Sequence, residues 1–159
     1  MTLREILEIA IQMETDGIKF YAAASEKATN EHAKATLLSL SDWEKTHRTK
    51  FTQLKEEIME TEKAIVSPDG QASLYLEAFA TGAIFDISQN PLENLSPDTK
   101  VSDILKIAIS LEKDAVCCYL GIKMLVNGHE SKEKVNRIIE EEMEHIRILS
   151  ELLCTCPLK

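Results

Sequence analysis

Glu14, Glu44 and His47 recur as Glu112, Glu142 and His145, each 98 positions after its counterpart and with no gap between the halves. Carboxylate oxygens and imidazole nitrogens are the donors that divalent first-row metals accept most readily outside thiolate sites. In Glu44-x-x-His47 and Glu142-x-x-His145 the i, i+3 spacing sets both donors on one helical face, one turn apart. Glu14 and Glu112 add one carboxylate from each partner helix. Four ionised carboxylates carry a charge of about −4, which two divalent cations balance with both imidazoles neutral. Mixed oxygen and nitrogen ligation suits iron or manganese, and the lack of thiolates argues against structural zinc. The order of metal affinities nonetheless allows zinc as a substitute.

Four long amphipathic stretches must position these groups. The first seam reads Leu3, Leu7, Ala10, Glu14, Gly17, Tyr21, Ala24 and opens on a Thr2 to Glu5 capping pattern; the second reads Ala33, Leu37, Leu40, Glu44, His47, Phe51, Leu54, Ile58. The third reads Val101, Leu105, Ala108, Glu112, Ala115, Tyr119, Ile122, Val126, and the fourth Val135, Ile138, Glu142, His145, Leu149, Leu152. Thr29-Asn30 and Asn127-Gly128 are short joints, so each pair is predicted to fold as an antiparallel hairpin. Ile6 to Ile11 lies over Ile104 to Ile109 and Tyr21 over Tyr119, so the chain is a duplicated hairpin. Between the hairpins, Pro68-Asp69-Gly70, Pro91 and Pro97 break helices around one short apolar segment from Leu74 to Phe85. A crossover of that length can traverse a bundle and make its inner helices parallel.

The six polar residues stand where their neighbours in the seam are apolar, and an isolated buried carboxylate must protonate or find a partner. None of the seam positions holds Lys or Arg, so the partner expected is a cation pair. One Glu-x-x-His alone would be unremarkable; two such pairs, two further seam Glu residues and one common offset make the pattern specific. The other polar residues read as solvent-facing: His32 and His129 near helix starts, Glu77 in the crossover, and the run Glu140-Glu141-Glu142, in which only Glu142 is on the seam.

Composition sets the outer bounds. The chain has 159 residues, 44% hydrophobic and 28% charged, enough for one domain with a continuous core. A net charge of −9 leaves no basic face for a phosphate backbone, so no nucleic-acid partner is expected. No apolar run approaches the roughly 20 residues of a membrane span, and no signal-like segment opens the chain, so a cytoplasmic protein with no membrane partner is expected. Cys117, Cys118, Cys154 and Cys156 lack the paired spacing of a zinc ribbon or rubredoxin-type site and read as ordinary thiols. The Cys154/Cys156 pair alone would make a weak metal site.

A Glu from each of two helices plus Glu-x-x-His from each of the other two is the ligand set of the ferritin-like di-iron and di-manganese proteins. With all six residues in order over four long helices, the chain resembles the ferritin-like superfamily, and within it the rubrerythrin-related di-iron carboxylate proteins. The resemblance implies an all-α, ferritin-like four-helix bundle: one domain over residues 1–159, with helical hairpins at 2–63 and 101–154 joined by a crossover, 64–100, that contains a short helix. It implies two iron ions, one bound by Glu14, Glu44 and His47 and the other by Glu112, Glu142 and His145, with Glu44 and Glu142 bridging. Tyrosines near such centres hydrogen-bond the ligand carboxylates, which makes Tyr21 and Tyr119 candidates for that role; ordinary core filling is the other reading. The haem-ligating Met of bacterioferritins has Lys45 in its place here, so no haem is expected.

Two departures from rubrerythrins proper stand out. Their additional Glu one turn after the third-helix ligand is Ala115 here, and Gly17 at the matching first-helix position; the paired-cysteine knuckles of a rubredoxin domain do not occur in these residues. Small residues at 17 and 115 would leave room for an oxidant. The activity implied is two-electron reduction of hydrogen peroxide or dioxygen, with oxidation of ferrous iron and electrons from a separate donor protein, by a protein expected to be a homodimer. The alternative is an iron or manganese carrier or sensor without turnover, or a bundle whose site is vestigial.

Overall fold

In the computed structural model, residues 3–28, 30–61, 74, 78 and 99–155 are described. They form four helices: α1 (Leu3–Lys27), α2 (Glu31–Thr61), α3 (Val101–Leu125) and α4 (His129–Thr155). At about 1.5 Å per residue each spans roughly 37 to 46 Å, long enough to carry a polar layer with apolar packing on both sides of it. The expected crossover, Glu77 included, falls almost wholly outside the described residues, within which Leu74 and Ala78 are helical. Thr2 and Cys156 also lie outside them.

The joints follow from local chemistry. Asn30 accepts the backbone N–H of Ala33 on its side-chain oxygen at 2.7 Å, satisfying one of the donors a helix start leaves open. At the other joint the chain leaves α3 through an extended Val126, then turns at Gly128, whose φ of +79° is left-handed and strained for any residue with a Cβ. His129 follows at once as the first residue of α4.

Two apolar clusters make the core. One gathers Ile6, Leu7 and Ala10 of α1, Phe51 and Leu54 of α2, Ala115, Cys118, Tyr119 and Ile122 of α3 with Val126 just after it, and Val135, Ile138 and Ile139 of α4. The other gathers Phe20, Tyr21 and Ala24 of α1, Ala33 to Leu40 of α2, Ile104, Leu105 and Ala108 of α3, and Leu149 and Leu152 of α4. Going along the chain, α1 and α4 pass from the first cluster to the second, whereas α2 and α3 pass from the second to the first. Each hairpin is therefore antiparallel, and α2 and α3 run parallel. Between the hairpins, α1 packs on α3 and α2 on α4. This is an all-α four-helix bundle whose long connection joins two parallel helices, as the sequence implied.

Leu7 and Leu105 are counterparts under the 98-residue repeat, fully buried in the first and second cluster respectively. Truncating either removes about three methyl or methylene groups from close packing. Leu7→Ala and Leu105→Ala should each lower stability by about 2–5 kcal/mol in urea denaturation. A loss below about 1 kcal/mol would mean that the cluster concerned is not a packed core.

Candidate metal centre

The layer between the two clusters is polar. Glu14, Glu44, His47, Glu112, Glu142 and His145 are all buried, none more than 4% exposed. α1 and α3 contribute one carboxylate each, and α2 and α4 contribute a Glu-x-x-His pair each, so all four helices meet at this level. Donor atoms of Glu14, Glu44, His47 and Glu142 lie within 4.8 Å of one another, as do those of Glu44, Glu112, Glu142 and His145. Either group could hold one ion, and Glu44 and Glu142 belong to both.

The imidazoles face the shared carboxylates. His47 Nδ1 lies 2.9 Å from Glu142 Oε1 and 3.5 Å from Glu44 Oε2; His145 Nδ1 lies 2.8 Å from Glu142 Oε2 and 3.4 Å from Glu44 Oε1. Despite those distances neither Nδ1 has a hydrogen bond in line among the described residues, nor do Glu44 Oε1 and both oxygens of Glu142. Buried polar atoms are nearly always hydrogen-bonded. Here the orphaned atoms point at common centres, the arrangement in which cations replace hydrogen bonds. The donor set fits two divalent metals on this ground.

Electrostatics at the layer follow from burial. Desolvation pushes the Glu14 and Glu112 carboxyls well above the ordinary carboxylate range, and the neighbouring Glu44 and Glu142 push them the same way. Burial also opposes ionisation of Glu44, but the Glu14 carboxyl and the imidazoles of His145 and His47 close beside it outweigh that and hold the Glu44 carboxyl low. Burial works against the charged imidazoles too, yet Glu142 and Glu44 raise His47 to about 10, and Glu112, Glu142 and Glu44 raise His145 to about 12. Protons on these groups do what cations would otherwise do.

Around the layer, the Tyr21 hydroxyl donates to Glu112 Oε1 and the Tyr119 hydroxyl to Glu14 Oε1, each across from one hairpin to the other. Burial, with the accepting carboxylate next, pushes both phenols well above their ordinary value, so they stay donors. Two features depart from the sequence reading, those at Glu141 and Gly17, and a third, at Trp43, lay outside it. Glu141, expected on a solvated face, accepts from His47 Nε2 at 2.8 Å and from Lys50 Nζ at 2.8 Å. Trp43 lies edge-on to His145, ring centroids 5.3 Å apart. The space expected beside Gly17 is occupied by Glu44: a Cβ there would stand 3.3 Å from Glu44 Cγ. Gly17 thus allows the close approach of α1 and α2, which Ser41 reinforces by donating to the Ile18 carbonyl at 3.1 Å. Ala115 packs in the first apolar cluster. His32 and His129 are exposed, as expected, and Cys118 is buried in the first cluster, away from the polar layer.

A binuclear carboxylate–histidine site inside an all-helical bundle defines the class of ferritin-like proteins. The crystal structure of a ferritin-like diiron-carboxylate protein from Thermotoga maritima is similar to this chain with a TM-score of 0.76 and 30% identity, over 98% of this chain and 96% of that one. A hypothetical protein from Pyrococcus furiosus shares the fold at a TM-score of 0.69 and 21% identity, over 97% of this chain and 91% of that one. No curated protein matches the chain. The model of the family Rubrerythrin matches residues 5–87, just over half the chain. The chain belongs to the rubrerythrin family.

Metal ligation needs deprotonated donors, so binding must expel the protons held on His47 and His145, and burial favours protons on the Glu14 and Glu112 carboxyls as well. Loading the apo-protein with two equivalents of manganese(II) at pH 7 in weak buffer should release several protons, up to about four, read with an indicator dye. Because the imidazoles bind protons more tightly than free histidine does, affinity should rise steadily from pH 6 to pH 9 and fall on acidification. Uptake with no proton release would show that the metal enters elsewhere.

Proposed function

We propose that the protein is a non-haem di-iron oxidoreductase of rubrerythrin type, which reduces hydrogen peroxide or dioxygen and oxidises ferrous iron. The single observation that carries this reading is the convergence of buried carboxylate and imidazole donors from four helices, with atoms of Glu44, His47, Glu142 and His145 left without hydrogen bonds among the described residues. Glu14, Glu44, His47 and Glu142 would hold one ion, Glu44, Glu112, Glu142 and His145 the other, with Glu44 and Glu142 shared. Iron is favoured over structural zinc by the oxygen-rich donor set without thiolates. A bound pair of ferrous ions supplies two electrons, one each, which is what converting peroxide to two waters requires.

The chain's own residues set the conditions for that chemistry. The two apolar clusters above and below the layer exclude bulk water, which strengthens every charge interaction within it. Tyr21 and Tyr119 fix the rotamers of Glu112 and Glu14 through their hydroxyls. Electrons to restore the ferrous state would come from a separate donor protein.

Membership of both groups gives the shared carboxylates a distinct signature. Glu14→Ala should reduce stoichiometry from two ions to one by elemental analysis, whereas Glu44→Ala should weaken both ions together. Equal effects from the two variants would sink the bridging assignment. For activity, the iron-loaded, anaerobic protein should develop a ligand-to-metal charge-transfer band within seconds of mixing with peroxide in a stopped-flow spectrometer, and should turn over when a reductant is supplied. Stable iron binding with no spectral change under peroxide or dioxygen would identify a carrier instead.

A further inference from the structure

The 98-residue repeat reproduces all six donors but breaks in the shell that supports the two imidazoles. Lys50, Glu141 and His47 form a continuous polar chain: His47 Nε2 donates to Glu141 Oε2 at 2.8 Å, and Lys50 Nζ donates to both oxygens of the same carboxylate. The repeat sets Trp43 opposite Glu141 (98 positions apart) and Ile148 opposite Lys50 (98 positions apart). On the other side of the centre the equivalent of Lys50–Glu141–His47 is therefore Ile148–Trp43–His145, polar groups replaced by apolar ones. The structure agrees with the arithmetic. Trp43 packs against His145 with the rings at an interplanar angle of 70°, and His145 Nε2 is buried with no hydrogen-bond partner among the described residues.

Both imidazoles turn Nδ1 toward the shared carboxylates, so Nδ1 must supply the lone pair and Nε2 must carry the proton. For His47 that N–H has a carboxylate acceptor, itself neutralised by Lys50. Such a partner fixes tautomer and ring orientation and makes the ligating nitrogen more basic. For His145 the neighbour is an indole, whose N–H can donate but which has no lone pair in the ring plane to accept. On its Nε2 side that imidazole is held by packing.

We propose that the two half-sites are inequivalent: the half built on Glu14 and His47 takes the first ion, and the half built on Glu112 and His145 takes the second and releases it first. Glu141 and Trp43 are the positioning residues that set this order, acting through the imidazoles and not on the metal directly. The inference rests on the binuclear reading of the centre. The size of the effect is that of a lost supporting hydrogen bond at a metal ligand, about 10–100-fold in affinity.

The test is occupancy at one equivalent. Chelator-stripped protein given a single equivalent of cobalt(II), which dioxygen and the protein ligands leave in one oxidation state long enough to crystallise, should show its anomalous peak among Glu14, Glu44, His47 and Glu142. Trp43→Glu, which restores a carboxylate at the repeat position on a side chain 43% exposed, should even out the peaks and raise the second affinity in calorimetry by about tenfold or more. Glu141→Leu should weaken the first step by about 10–100-fold and draw the single ion toward His145. If the leucine variant fails to fold, the Trp43→Glu result decides. Two equal peaks in the wild type, or a ratio unmoved by Trp43→Glu, would overturn the inference while leaving the binuclear centre intact. Absence of cobalt from both halves would overturn both.

Discussion

Four carboxylates and two imidazoles buried at one level of a bundle are the constraint to which everything else in this chain answers. Taking a single ion out of water costs several kcal/mol even after relaxation, and a domain has only about 5–15 kcal/mol of net stability. The layer can persist only if its charges cancel locally. Protons shared among Glu14, Glu112, His47 and His145 provide one way of cancelling them, and two divalent cations provide another. The apolar clusters on both sides turn this from a surface equilibrium into a property of the fold, because the six side chains are buried from the solvent that would soften the choice.

Much of this could be read before any coordinates. Burial at Leu7, Ala10, Glu14, Tyr21 and Ala24 follows the seam spacing of α1, and the other three helices follow theirs in the same way. A buried Glu within such a stripe is legible because its neighbours in sequence report its surroundings. Helix direction was legible as well, since a long proline-broken connection is what parallel inner helices demand. The convergence of the six donors followed from one repeated offset.

What escaped the sequence lies between helices. Glu141 stands one residue before a seam position, where α4's own periodicity assigns it to solvent; only the approach of α2 brings His47 and Lys50 against it. The signal existed in the comparison of the halves, because Trp43 occupies the matching position and the two residues share no chemistry. Gly17 escaped for a related reason. A missing side chain reads as room, but helices close up on a glycine, and Glu44 fills the gap. Surface pairs such as Lys55 with Glu8 and Lys134 with Glu57 join helices too, yet exposed pairs of this kind contribute little and specify nothing about the centre.

The tyrosines and the shared carboxylates have a bearing on ancestry. Tyr21 serves Glu112 and Tyr119 serves Glu14, while each group of donors takes at least one carboxylate from the opposite hairpin. A solitary half would own two acids and one imidazole, with its phenol aimed at nothing. Any single-hairpin forerunner could thus have gathered such a constellation only by docking against an identical copy of itself. Fusion of the two copies would then have freed positions 43 and 141 to diverge, something a symmetric pair encoded by one gene could never do.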